Sequence, residues 1–262
     1  MKEMNMKMKL ASLIFVATIT FSMIQTVTAA TFDHSLFNRI LSEYVDHKGL
    51  VDYNGIAKDK NFYAYMDSLK NVDVQALTRD GQLAFWINAY NAVTIEKVIR
   101  WKPKKSVRET LVPGVWISTN FFTTRENVVA GKKLSQDDIE NEILRKQFHD
   151  PRIHFAIICA SMGCPPIPKF AYTGEMVQSQ LASETQKYLN SPRGTRIDRA
   201  ENTLYISKIF EWFGGDFIQA AGSVMNFIKP YLNKETLAFL NLNPKIDYID
   251  YNWALNAREP LK

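Results

Sequence analysis

The stretch from Gly81 to Trp101 restricts the folds open to this chain more than any other. Its spacing reads as one helix with Asp80 as a good N-cap, and its first part, Leu83-Ala84-Phe85-Trp86-Ile87-Asn88-Ala89-Tyr90-Asn91-Ala92-Val93, is apolar nearly all round. A helix without a polar face needs neighbours on every side, so it should run through the core and not along the surface. Asn88 and Asn91 lie one turn apart within it. A buried amide left unpaired costs on the order of 1 to 3 kcal/mol, so both need partners. Either they tie the helix to neighbouring backbone, or one of them lines a site or orients a catalytic side chain.

Other elements must wrap this helix. Phe32, Leu36, Ile40 and Tyr44 recur every fourth residue and predict an amphipathic helix up to His47-Lys48-Gly49, and Ala57 to Leu69 predicts a second. Leu50 to Tyr53 reads as a short extended piece. Beyond Pro103 the helical period fades. Val115-Trp116-Ile117 and Asn120-Phe121-Phe122-Thr123 look extended, and Val128 to Lys133 reads as a strand entering a turn. Ser135 then caps a helix through Phe148, with Asp137 and Asp138 in its first turn, where the helix dipole favours anions. Ile153 to Ala160, an apolar run bounded by Pro151 and Ser161-Met162-Gly163, predicts a strand covered on both faces. Thr173 to Leu189 reads as a helix, Leu204 to Ile206 as extended, and Phe213 to Leu232 as helical with an interruption at Gly222, before a tail bearing Tyr248, Tyr251 and Trp253. The fold class expected is α+β, a helix-rich single domain around a small buried sheet.

Composition removes several alternatives. With 46% hydrophobic residues, 12% aromatics and two cysteines, the chain is neither disordered nor a disulfide-stapled miniprotein. Residues 1–30 have the three parts of a secretory signal peptide: a basic head with Lys2, Lys7 and Lys9, an uncharged run from Leu10 to Ile24, and small residues around Ala29-Ala30. An uncleaved membrane anchor is the competing reading, since the run approaches the roughly 20 residues that span a bilayer. Cleavage would leave one domain over residues 31–262, not membrane-spanning, in the periplasm or secreted, and, by removing three lysines and one glutamate, would lower the net charge from +5 to +3. Lys102, Lys104 and Lys105 form only a local cluster, so no nucleic-acid partner is expected.

Chemistry concentrates in one short segment, where His154, Cys159 and Cys164 fall within eleven residues. Cys164 sits in the loop Ser161-Met162-Gly163-Cys164-Pro165-Pro166, a position from which a thiol can be presented for nucleophilic attack, with a histidine to favour thiolate and return a proton. If the segment is a strand, His154 and Cys159 point to opposite faces, which makes Cys164 the better partner for His154. A Cys159–Cys164 disulfide and a pair of packed, unlinked cysteines remain open. The spacing does not match common zinc sites, so neither metal nor other cofactor is expected. Glu140, on the preceding helix, is either a solvated charge or a carboxylate that joins the group.

The chain resembles the domain-of-unknown-function 547 family. The resemblance is carried by Gly49-Leu50-Val51-Asp52-Tyr53, by Ala84 through Ala92, by Leu134 through Arg145, and by Asp150-Pro151-Arg152-Ile153-His154-Phe155-Ala156. It continues through Cys159 to Pro166 and through Ser207-Lys208-Ile209-Phe210-Glu211-Trp212-Phe213 with Asp216-Phe217. It implies a single family domain after the leader, with motifs converging on Trp86, Asn88, Tyr90, Asn91, Glu140, His154 and Cys164, and it implies no settled activity.

Two functions follow as expectations. In the first, Cys164 attacks a carbonyl of an envelope peptide, amide or ester, His154 shuttles the proton and Asn88 or Glu140 orients the imidazole, while Trp86, Tyr90 and Asn91 line the substrate site. In the second, Trp86, Trp116, Trp212 and Tyr90 line a groove in a non-catalytic envelope binding or scaffold domain.

Overall fold

The structure is a computed structural model that describes residues 30–109 and 121–262. The leader-like residues before Ala30, and Val115, Trp116, Ile117 and Asn120, lie outside the described residues. The elements are α1 (Ser35–Tyr44), α2 (Tyr53–Ile56), α3 (Lys60–Ser68), α4 (Arg79–Trp101), α5 (Asp138–Phe148), α6 (Val177–Leu189), α7 (Ile209–Trp212), α8 (Gly214–Ala221), α9 (Val224–Ile228) and α10 (Lys234–Leu240). The strands are β1 (Asn127–Val129), β2 (Lys132–Leu134), β3 (Thr195–Asp198), β4 (Thr203–Ser207) and β5 (Lys245–Ile249). The fold is α+β and helix-rich. No helix among the described residues is long and apolar enough to cross a membrane.

Helix α4 is the axis of the molecule. Every residue from Leu83 to Ile95 is buried, as its lack of a polar face requires, and α2, α5 and α6 pack against it. The helix begins two residues earlier than Asp80 suggests. The Thr78 hydroxyl accepts from Gly81 N at 3.0 Å and is the cap, while the Asp80 carboxylate is free to accept from Gln178 Nε2 at 2.8 Å. Near its other end Lys97 is fully buried, and its ammonium donates to the carbonyl of Phe121 and to Gln136 Oε1 at 3.0 Å. That anchor holds Phe121, Phe122 and Thr123 in a helical turn where an extended segment was expected.

The strand expected over Ile153 to Ala160 does not form. Asp150 accepts from Arg152 N at 3.0 Å and caps a 3-10 turn, Pro151–Phe155, after which the chain runs irregularly to Ala160, whose φ is 58°. Its burial was read correctly, since Ile153 and Phe155 to Ile158 are all buried. Its backbone is paired by a side chain. Asn91 Nδ2 donates to Ala156 O at 2.9 Å, and Asn91 Oδ1 accepts from Ile158 N at 2.9 Å. One side-chain amide thus supplies the donor and the acceptor that a neighbouring strand would have supplied. Asn88 does the same for Tyr172, donating to its carbonyl at 2.7 Å and accepting from its N–H at 3.0 Å.

The sheets lie elsewhere. Strands β1 and β2 form an antiparallel hairpin whose turn, Ala130-Gly131, has both residues at positive φ, as a two-residue hairpin turn requires. The second sheet has the order β3-β4-β5, with β4 antiparallel to β3 and parallel to β5. It covers a core formed with α7 to α10, and Leu204 and Ile206 of its central strand point into that core. Phe155 belongs to this second core, whereas Ile153 and Ala156 belong to the core around α4. The 3-10 turn is therefore the hinge between the two. The interruption expected at Gly222 is present, with φ 76°, between α8 and α9.

Ser135 caps α5 as expected. Its hydroxyl accepts from Asp138 N at 3.1 Å, while Asp138 Oδ2 accepts from Ser135 N at 2.9 Å. The helix is wound with π-type hydrogen bonds, an arrangement that recurs at functional sites. At the other end of the chain, the tail returns across the cysteine loop. Met162 N donates to Ala254 O and Gly163 N to Asn252 O, both at 2.7 Å, and Val51 N donates to Asn256 O at 2.9 Å. Gly49 closes the contact at φ 77°, so near the loop that an added Cβ would stand 2.4 Å from Pro166 Cβ.

Three variants test this packing by urea denaturation. Asn91→Leu keeps the branched shape of the side chain but strands the Ala156 carbonyl and Ile158 amide in the core, so unfolding free energy should fall by about 2 to 5 kcal/mol. Gly131→Ala meets no atom within 4 Å and should cost only backbone strain, about 1 to 2 kcal/mol. Gly49→Ala adds the collision with Pro166 and should cost about 2 to 5 kcal/mol. Equal losses for the two glycine variants would refute the close approach of Gly49 to the cysteine loop.

Candidate functional site

Where the two cores meet, a cavity of about 480 Å³ opens to solvent. Tyr90 of α4, Glu140 and Arg145 of α5, His154 of the 3-10 turn, and Cys159 and Cys164 of the following loop all reach its wall. Trp212 and Phe213 close it from α7 and the residue after it, and Tyr251 and Trp253 close it from the tail. Trp212, Tyr251 and Trp253 pack against one another with ring centroids 4.6 to 5.8 Å apart, and Trp212 is 44% exposed.

A chain of charges runs behind one wall. Arg145 grips Asp216 with two parallel hydrogen bonds, Nε to Oδ2 at 2.7 Å and Nη2 to Oδ1 at 2.8 Å, and holds Asn141 Oδ1 at 2.6 Å. Asp216 Oδ2 lies 2.8 Å from His154 Nε2, and the imidazole stacks on Phe213 at 4.1 Å. Burial works to raise the Asp216 carboxyl, but the hydrogen bonds of Arg145 and His154 outweigh it and hold that group well below the usual carboxylate range. For His154, only 3% exposed, burial wins over the attraction of Asp216 and lowers its pKa. The imidazole is therefore neutral at neutral pH, with Nε2–H donating to Asp216. Its Nδ1 lone pair then faces Glu140 Oε1 at 3.9 Å.

Glu140 is the titrating member of this chain. Burial raises its pKa to about 7, against the lowering effect of the Tyr90 hydroxyl, which donates to Oε2 at 3.3 Å, and of Arg145. Charge on Cys159 adds to the rise, so carboxyl and thiol sense one another across the cavity. Such a carboxyl exists in both protonation states near neutrality, the condition for an acid that must also act as a base.

The two cysteines differ sharply. Both are free thiols. Cys159 is partly exposed, with its sulfur 2.9 Å from Ser161 Oγ and 3.0 Å from Tyr251 Oη. Burial pushes its pKa up, but hydrogen bonds from Cys164, Ser161 and Tyr251 overcome that and bring it down to about 7. Cys164 is 6% exposed, and burial together with the charge on Cys159 pushes its thiol well above the ordinary value. Cys159 is thus the thiolate of the pair. Tyr251 stays protonated, raised by burial and by both sulfurs, and acts as a donor.

Of the residues singled out from sequence, the cavity brings together Tyr90, Glu140, His154 and Cys164. Trp86, Asn88 and Asn91 are buried beside it in the core and do not line it. Asn88, considered as an orienter of the imidazole, has both amide atoms committed to Tyr172, and the group bonded to His154 is Asp216. The face argument that favoured Cys164 over Cys159 fails with the strand it assumed, because an irregular chain does not alternate its side chains. Asp216, Arg145, Tyr251 and Ser161 went unrecognised. The only signals were Asp216 next to the aromatic run of α7 and a tail unusually rich in aromatics. Among the described residues, no three His, Cys, Asp or Glu side chains gather as ligands for a metal ion.

In comparison with known protein families, residues 74–189 fit the family described as "Protein of unknown function, DUF547". Neither the curated proteins nor the solved structures provide a match. The matched span holds Tyr90, Glu140, Arg145, His154 and both cysteines, while Asp216, Tyr251 and Trp253 come from beyond it. Over that span, with its buried helix, its π-wound helix and its cysteine loop, the chain is similar to the DUF547 family.

Proposed function

We propose that the protein is a thiol-dependent hydrolase or acyl or amide transferase, with Cys159 as the nucleophile. The observation that carries this reading is a partly exposed sulfur, held by the hydroxyls of Tyr251 and Ser161, in the same cavity as a carboxyl that titrates near neutrality. The Cys159 thiolate adds to a carbonyl carbon. Glu140, as the carboxylic acid, delivers its proton to the departing amine or alkoxide, which leaves a thioester on Cys159. Glu140, now a carboxylate, takes a proton from water or from an acceptor amine as that group attacks the thioester, and Cys159 departs as thiolate.

His154 enters this scheme through Glu140 and not by direct contact with the sulfur. Its neutral ring, fixed by Asp216 and Arg145, presents a lone pair towards the carboxyl and favours the protonated acid in the resting state. Cys164 keeps its proton and donates a hydrogen bond to the nucleophile. The leader-like N-terminus favours a periplasmic or secreted location, so the substrate class proposed is a peptide, amide or ester of the cell envelope. The exposed Trp212, packed with Tyr251 and Trp253, favours a second reading, an envelope binding domain whose cleft holds an apolar or glycan ligand without reaction.

The two readings separate on the chemistry of the thiol. Iodoacetamide labelling followed from about pH 5 to 9 should show Cys159 reacting with a midpoint at about 7, rising as the thiol loses its proton. Tyr251→Phe should move that midpoint up by about one unit, equivalent to one hydrogen bond to a charged group of roughly 1.5 kcal/mol. With p-nitrophenyl acetate, the reduced protein should give a burst of nitrophenolate and an acetyl group on Cys159. The burst should vanish in Cys159→Ala. In Glu140→Gln it should persist with slow deacylation, since this leaving group needs no acid. A burst of unchanged size in Cys159→Ala, or no burst in the wild type, would reject acyl transfer in favour of binding.

A further inference from the structure

The turn from Cys159 to Cys164 folds the sulfur of the second cysteine back against the backbone of the first. Cys159 N–H donates to Cys164 Sγ at 3.0 Å, and both cysteines line the same cavity. The fold imposes this approach. Ala160 turns the chain at φ 58°, Cys164 N closes the loop by donating to Ser161 O at 3.2 Å, and the tail pins the loop from outside through Ala254 and Asn252. The pair is also asymmetric in access: Cys159 is partly exposed on the cavity wall, while Cys164 sits behind it, 6% exposed. With two cysteines in the sequence, each has one possible intramolecular partner.

We infer that Cys159 and Cys164 are a peroxide-reactive redox pair, Cys159 taking up the oxygen and Cys164 resolving the product as an intramolecular disulfide. The Cys159 thiolate attacks the outer oxygen of a hydroperoxide, the O–O bond breaks, and the alkoxide leaves with a proton as alcohol, or as water when the oxidant is hydrogen peroxide. Cys159 is then a sulfenic acid. Cys164 gives up its proton and attacks that sulfur, the S–O bond breaks, and hydroxide leaves with the proton as water. Two thiols and one hydroperoxide thus give one disulfide, one alcohol and one water. A dithiol reductant reverses the step by exchange, becoming a disulfide itself.

Closure removes the nucleophile that acyl transfer would use, so the pair would also switch that activity off. This consequence rests on the proposed function, whereas the redox step needs only the geometry of the two thiols.

The test uses the full chain, reduced and freed of reductant, with hydrogen peroxide as the probe and maleimide alkylation read by intact mass. The wild type should lose both alkylatable thiols and two hydrogens, remain monomeric on a non-reducing gel, and recover both thiols with dithiothreitol. Cys164→Ala should instead accumulate a sulfenic acid, trapped by dimedone at Cys159, and Cys159→Ala should leave Cys164 unmodified at the same dose. Two thiols surviving in the wild type at a dose that gives the dimedone adduct in Cys164→Ala would overturn the inference. So would oxidation of wild-type Cys159 to sulfinic acid without a disulfide, or a bridge between two chains. A missing acetyl burst in the reduced protein tells against acyl transfer alone, and the peroxide result stands apart from it.

Discussion

Two asparagines on the buried helix α4 hold the site in place. A helix surrounded on all sides can bind its neighbours by apolar contact, but apolar contact does not set register, because a packed surface tolerates sliding better than a hydrogen bond does. Asn91 and Asn88 provide the register. Each presents one donor and one acceptor to the backbone of a different segment, Asn91 to Ala156 and Ile158 and Asn88 to Tyr172. The first contact locates the chain between His154 and Cys159. The second locates the chain that follows the cysteine loop and leads into α6. The irregular stretch between them carries both thiols and is held at its two ends by side chains of a single helix.

Burial then sets the electrostatics in opposite ways at neighbouring positions. At Glu140 the desolvation of a carboxylate prevails, because its nearest donor is one tyrosine hydroxyl at 3.3 Å. At Asp216 desolvation acts in the same direction and loses, because a guanidinium delivers two short hydrogen bonds and an imidazole a third. Two carboxyls near one imidazole thus differ in protonation at neutral pH. The thiols repeat the pattern. Cys159 and Cys164 are both desolvated, yet three side-chain donors converge on the first and the negative charge they stabilise disfavours ionisation of the second. Separation of paired groups into one charged and one neutral member is the arrangement that acid and base roles require.

Much of the scaffold was legible because it depends on local rules. The all-apolar character of α4, the Ser135 cap, the break at Gly222 and the strand entering a turn after Val128 follow from periodicity, capping and turn chemistry, and each is found, the turn leading on into a second strand. The segment Ile153 to Ala160 was misread because a short apolar run carries the same pattern whether its backbone pairs with a strand or with a side chain. That distinction depends on Asn91, sixty-odd residues earlier in the chain. The site was legible in part for the same reason. Glu140, His154 and Cys164 stand out by residue type within a short span. The choice of Cys159 as thiolate rests on Cys164 and Ser161 together with Tyr251, and that of Asp216 as the partner of His154 on α8. The Tyr251 and Asp216 contacts are long-range and leave no periodic trace.

The aromatic tail shows how those distant parts are joined. Tyr251 would be an ordinary core tyrosine if its hydroxyl had only carbonyls to meet. It meets a sulfur at 3.0 Å and a serine hydroxyl at 3.1 Å, because Asn252 and Ala254 pair with the backbone of Gly163 and Met162 on the same loop. One run of backbone pairing therefore does two things: it covers the cysteine loop, and it delivers a donor to the thiol that the loop exposes. The same run continues to Val51 through Asn256 O, and Asn256 Oδ1 accepts from the Tyr53 hydroxyl at 2.6 Å. The motif from Gly49 to Tyr53 is thereby tied to the sulfur chemistry without touching it. Its glycine lies against Pro166 and its backbone against the tail, so the N-terminal motif, the cysteine loop and the C-terminal residues form one rigid contact. A thiolate kept by hydrogen bonds and not by a permanent cation needs that rigidity, because such bonds lose most of their strength when their geometry relaxes.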